Sequence, residues 1–295
     1  MEKKYEFTED TRIYNGRLLH RIVAIRDFSN IQAGQKGGWI EKEDNLSHEG
    51  NCWVSDEAIV CDKALVYGNA KVARNAVIEK CGLVFDYAVV TDNARITDYA
   101  AVFNYALVLS DALIGGKANV CGNAFVGANA IVDGMANISG RARVLCFAHT
   151  TGTSFVTDDA LVEGRAFIDA GYIYGQAIIG GNARVADRVI IDGKAHICGN
   201  AVIKEDEDFI VFKNWWSSGR YFTWTRSNDK YKVGCFYGTG KELIEAAYND
   251  SEEKGREYER IVNYVNSIKN DGKQNDITRK TESDSDEVRS AEGLV

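Results

Sequence analysis

The chain has 295 residues, 45% of them hydrophobic, a formal net charge of −8 and no proline. The apolar content suffices for a sizeable core, and the acidic balance argues against a protein that grips duplex nucleic acid by neutralising phosphates or docks on anionic membranes. Seven cysteines, an odd number with no CxxC pair, read as reduced cysteines of a cytoplasmic protein, and the absence of a signal peptide or a long apolar run predicts no membrane segment.

In chain order, residues 1–44 are expected to form an N-terminal cover. Two apolar strands between Tyr5 and Phe28 flank Asn15-Gly16, a strong hairpin turn signal. From Asn51 to Ala170 the chain is twenty uninterrupted six-residue units, NCWVSD, EAIVCD, KALVYG and onward to RAFIDA. Position 2 is Ala in 17 of the 20, and position 4 is Val or Ile in 19, Thr150 being the exception. Helices and simple strands have other periods, so a strict hexad means short strands and corners stacked as a parallel β-helix. Positions 2 and 4 point inward, positions 3 and 5 outward. Positions 6 and 1 make the corner, rich in Gly, Asp and Asn that tolerate positive φ. Three hexads make a triangular coil of eighteen residues. A five-residue unit, Gly171–Gly175, breaks the register once and reads as a tolerated deletion at a corner; five further hexads end at Glu205. The β-helix is thus assigned to 45–205 and an α+β module to 206–269, with strands near 209–213, 221–226 and 231–236 and helices after Thr239 and Ser251. Residues 270–295, poor in apolar types, are expected to be disordered.

The run RIVAIRDFSNIQAGQKGGWIEKEDNLSHEGNCWV resembles the lead-in of the YdcK-like hexapeptide-repeat proteins of bacteria and their phages. SSGRYFTWTRSNDKYKVGCFYGTGKEL is similar to the Gly-Cys-Phe-x-Gly-Thr module that closes many phage and prophage hexapeptide-repeat proteins. The resemblance implies a mainly β fold, a left-handed parallel β-helix with an N-terminal hairpin cover and a small α+β C-terminal module, and a phage or prophage origin. It supplies no catalytic residues.

Acyltransferases of the hexapeptide class use a histidine and a loop thrown out from a coil; no loop interrupts the hexads here. His149 and His196 occupy outward position 3 of their hexads, with no acid in the same hexad to orient the ring. No metal-ligand spacing, Walker loop or dinucleotide fingerprint is present, so no cofactor is expected. Trp215, Trp216, Arg220, Trp224 and Tyr237 crowd the C-terminal module as candidate binding residues or as a lid for the β-helix end. Outward apolar side chains stack on two faces. Val89, Leu107, Leu109, Phe125 and Leu145 mark one as the expected homo-oligomer contact; Leu65, Tyr67, Leu83, Phe85, Ala101 and Phe103 mark the other. The composite expectation is a non-enzymatic accessory protein of a phage or prophage, acting in the host cytoplasm by binding a host protein or a small signalling nucleotide, as in an anti-defence inhibitor. The alternatives are a hexapeptide-repeat acyltransferase and a virion or polymer-forming component.

Overall fold

The computed structural model describes residues 2–215 and 218–269; Trp216 and the tail expected to be disordered lie outside the described residues. The described residues divide into two compact units, one running to Phe212 and including 222–228, the other formed by those of 213–221 and 229–269.

The first unit is the β-helix. Its strands are mostly two residues long and form three parallel sheets, and the 12-stranded one also takes in the N-terminal hairpin; the other two have 9 and 8 strands. Register is set by the coil length: Val89 pairs with Leu107, and Leu107 with Phe125. Position 4 and the alanines of position 2 are buried throughout, because a narrow triangular interior admits one branched and one small side chain per edge. Each buried Val or Ile contributes roughly 1.5–3 kcal/mol over its exposed state. The one-residue deletion is absorbed locally: Phe155 pairs with Tyr172 and Val156 with Ile173, so stacking resumes one residue early.

At the corners, positive φ falls on position 6. The sixth residue of every hexad from Asp56 to Ala170 lies between 55° and 70°, a region costing roughly 1–2 kcal/mol for most L-residues. Aspartate at this position does more than tolerate the bend. Asp56, Asp86, Asp92 and Asp98 each accept a hydrogen bond from the backbone N–H eighteen residues on, at 3.0–3.2 Å.

The N-terminal end is closed by β1 (Tyr5–Tyr14) and β2 (Arg17–Ala24), an antiparallel hairpin, and β3 (Lys36–Ile40), which is antiparallel to β2 and parallel to Ile59–Val60. The hairpin covers more than the end. Leu19 and Tyr14 pack with the outward residues Trp39, Ile59, Cys61 and Val77, so the chain itself covers these outward side chains at the start of the coil. Burial there pushes the Cys61 thiol up to about 12. Glu57 ties the cover down: its carboxylate accepts hydrogen bonds from Arg12, Arg21 and Trp39 at 2.7–3.0 Å, and both guanidiniums lie over the Trp39 ring.

The Arg21 hydrogen bond, followed by that of Trp39, holds the Glu57 carboxyl below its ordinary 4.5. A carboxyl depressed by folding contributes stability that is complete above its unfolded pKa and fades as pH falls through the folded one. Glu57→Gln is therefore expected to lower the melting temperature near neutral pH, and the gap from wild type to narrow below about pH 4. Thermal melts of both proteins across that range check it.

The far end of the coil is closed by residues 209–212 and 222–228 of the same unit. The strands Phe209–Lys213 and Tyr221–Thr225 follow the last hexad. Phe209 and Val211 pack on the coil interior, and Phe222 and Trp224 are buried. Backbone N–H groups of the last strands, which have no further coil to bond, donate to hydroxyls instead: His196 to Thr223 at 2.9 Å and Val202 to Ser227 at 2.7 Å. An end of a parallel sheet needs such partners, because unpaired buried N–H groups are costly.

In the second unit the strands Lys230–Val233 and Phe236–Gly238 pair antiparallel. A helix follows, α1 (Gly240–Asp250), N-capped by Thr239 in a capping box with Glu242. A second helix, α2, covers described residues 252–269; its first turn is capped by the Ser251 hydroxyl, which accepts from the Lys254 N–H. The buried apolar residues of the second unit, among those described, are Tyr231, Val233, Leu243, Ala247, Tyr258, Val262 and Val265.

Candidate functional site

The first apolar face is built from position 3 of one edge. Val89, Leu107 and Phe125 stack directly, and all three are half-buried. The next residue in that column is Arg143, exposed, followed by Leu161. The column therefore ends as an apolar patch at Phe125 rather than running the length of the prism. Leu109 flanks it on position 5, and its neighbour one coil on is Gly127. A Cβ there would lie 3.1 Å from the Phe125 ring and 3.4 Å from Leu109, so the glycine lets that ring lie down on the sheet. Leu145 sits beyond Gly127, half-buried. The five residues expected as an oligomer contact thus share one face, with Val89, Leu107, Leu109 and Phe125 forming its continuous part.

The second face carries a ladder of rings. Tyr67, Phe85 and Phe103 stack at 4.8 and 4.9 Å with planes 4° and 2° apart, the spacing of adjacent strands. Tyr87 and Tyr105 stack beside them at the corner, at 5.1 Å. Each ring covers its neighbour's face, so much of this apolar surface is shielded by the ladder itself.

His149 differs from its expected surroundings. Its Nε2 lies 3.1 Å from Asp133 Oδ1, and its ring meets Phe167 edge-on at 5.2 Å. Its own hexad holds no acid, as the sequence reads, but the ring is paired across coils. The acid comes from the preceding coil, sixteen residues earlier, because position 5 of one coil lies diagonally beside position 3 of the next. Glu79 and Arg95 show the same spacing and the same contact, so a sixteen-residue offset was the signal to look for. Behind His149, Thr150 takes the inward place of Val or Ile, and its hydroxyl is buried without a hydrogen-bond partner among the described residues. A carboxylate that fixes the orientation of a half-exposed imidazole is the arrangement of a general base; it is equally that of an ordinary cross-strand ion pair. His196 is held at the closed end of the coil, under Thr223.

Of the C-terminal candidates, Trp224 is removed from any recognition surface: it is 2% exposed and belongs to the core. In the second unit Trp215 is 71% exposed, with Lys213 Nζ 3.7 Å from its ring centroid. Tyr237 and Arg220 are exposed too, Arg220 lying along Gly234. Among the described residues no cluster of His, Cys, Asp or Glu could hold a metal ion, and no helix is long and apolar enough to cross a membrane.

No family model matches the chain. It is 40% identical over 63 residues to a protein of Escherichia coli (strain K12) described as "Uncharacterized acetyltransferase YdcK". The match covers 19% of this chain and 19% of that protein. The chain thus shares a short stretch with an acetyltransferase-named relative and has the stacked parallel coil of hexapeptide-repeat proteins.

Proposed function

We propose that this protein acts by binding, as a β-helix that self-associates along the face of Val89, Leu107, Leu109 and Phe125 and recognises a second molecule through exposed side chains of its C-terminal unit. The apolar patch carries the reading. Four contiguous aliphatic and aromatic side chains stand outward with no ring ladder to shield them, and such patches mark interfaces. The recognition part rests on Trp215, Arg220 and Tyr237, residue types enriched at binding hot spots. The finer reading is an accessory protein of a phage or prophage directed at a host protein or a small signalling nucleotide in the cytoplasm; it rests on the resemblance of the lead-in and closing segments.

Leu107→Glu combined with Phe125→Glu is expected to give a smaller species in light scattering with an unchanged β spectrum in circular dichroism. A wild-type protein already monomeric at micromolar concentration would refute self-association. For recognition, Arg220→Ala is expected to weaken partner capture tenfold or more, about 1.4 kcal/mol, at unchanged melting temperature.

A second reading is acyl transfer, favoured by the Asp133–His149 pair and by the description of the E. coli relative. The binding reading expects His149→Ala to leave biological activity intact and the protein to show no acetyl-CoA-dependent transfer. A folded His149→Ala variant that loses transfer present in wild type would reverse the order of the two readings.

A further inference from the structure

The first hexad is the only one of the twenty with Cys at inward position 2, and a lysine meets it there. Lys4 is 0% exposed. Its Nζ donates to Glu49 O and Gly50 O at 3.4 and 3.2 Å and lies 3.2 Å from Cys52 Sγ. The ring of Phe28 closes over it at 5.2 Å. Cys52 is 0% exposed as well, its sulfur within 3.4–3.7 Å of the carbonyls of Ser47, Glu49 and Val66. Carbonyl oxygens solvate the ammonium, and Cys52, where most other hexads have Ala, adds a sulfur within hydrogen-bond distance of a primary amine.

We propose that Lys4 and Cys52 form a redox modification site, in which a peroxide joins Lys4 Nζ to Cys52 Sγ as a sulfenamide that staples the N-terminal cover to the first coil. The steps balance. Hydrogen peroxide oxidises the thiol to sulfenic acid, Cys52–SH + H2O2 → Cys52–SOH + H2O. The neutral amine of Lys4 then attacks sulfur, the N–S bond forms, the S–O bond breaks, and the hydroxyl leaves with an amine proton as water. A sulfenic acid condenses with a neighbouring nitrogen in this way, and a thiol reductant reverses it.

The surroundings favour the second step. Burial pushes the Lys4 ammonium below its ordinary pKa of 10.5 and the guanidinium of Arg26 pushes the same way, while Cys52 opposes them; the neutral, nucleophilic amine is thereby more accessible than in a free lysine. Burial also raises the Cys52 thiol, opposed by Lys4, so its oxidation is slow, and its full burial admits only a small oxidant such as hydrogen peroxide. The seven cysteines are all free, and Cys146 and Cys235 are exposed, so they serve as internal references. The bond would close a loop from residue 4 to residue 52, and closing such a loop restricts the unfolded chain.

The test treats the full-length protein with hydrogen peroxide, blocks remaining thiols and digests it with trypsin. The expected product joins peptide 4–12 to peptide 43–63, lighter by two hydrogens than the two alone, and a dithiol reductant restores both. The untreated protein lacks it, and the treated protein melts at a higher temperature until reduced. Cys52→Ala, which installs the usual residue of the repeat, and Lys4→Gln both abolish the joined peptide. Three results would overturn the proposal. One is Cys52 recovered as a free thiol when Cys146 and Cys235 are oxidised; another is Cys52 recovered as sulfinic acid with Lys4 unmodified. The third is a joined peptide that persists in Lys4→Gln.

Discussion

Val108→Asp is expected to abolish the native fold. Val108 is 0% exposed, stacked between Val90 and Val126 in the coil interior. The neighbouring position-2 residues are alanines, Ala106 and Ala124, also fully buried, and offer no side-chain donor. The backbone N–H groups are committed to the ladder, as Leu107 to Ala124 and Leu109 to Val126. A carboxylate there keeps no water and gains no partner, at a cost of several kcal/mol even after it takes up a proton. Global stabilities run to about 5–15 kcal/mol, so one such group consumes most of the margin. A solenoid transmits the damage, since each coil buries its apolar edge only against its neighbours. Circular dichroism should show loss of the β signal at temperatures where wild type retains it, and Val108→Ile should retain it.

Gly38→Ala is expected to destabilise by about 3 kcal/mol, the upper part of the range for forcing atoms into a packed core. A Cβ at Gly38 would sit 2.6 Å from the Ala58 carbonyl oxygen and 2.7 Å from Val54. That carbonyl accepts the Trp39 N–H at 2.9 Å, the bond that starts the join of the N-terminal cover to the coil. The methyl therefore displaces backbone on both sides of the seam. Gly82→Ala supplies the contrast. Its Cβ would meet Ile96 O at 3.1 Å, but Gly82 is at position 2, where the repeat accommodates Ala in 17 of its 20 units, so a change within ~1 kcal/mol is expected. Denaturant melts of the two variants side by side separate a seam glycine from a repeat glycine.

The C-terminal unit was partly legible. Gly238-Thr239-Gly240 reads as a turn before a helix, and the helix follows; the capping box of Thr239 and Glu242 stands in the sequence at its usual spacing. Trp224 illustrates the opposite case. An aromatic among Arg and Trp neighbours has no sequence signature that separates a lid from a recognition surface; in the fold Phe222, Thr223, Trp224 and Thr225 are all buried, so both faces of the strand are covered and Trp224 with them.

Sequence by itself determined the architecture: a six-residue period with Ala and Val or Ile at fixed places has one way to bury its apolar atoms, and eighteen-residue stacking follows from three edges per coil. It also determined which side chains stand outward. Tertiary structure alone decided what those outward residues meet. Stacking set His149 beside Asp133 and Phe167, let Arg143 cut the apolar column after Phe125, and turned Tyr67, Phe85 and Phe103 into a ladder that covers itself. Folding of the hairpin brought Leu19 over Ile59 and Val77, and carried Lys4 across more than forty residues to Cys52. A repeat pattern encodes neighbours at a constant offset, whereas contacts made by the non-repeating ends depend on how the chain returns on itself, and no local period records that.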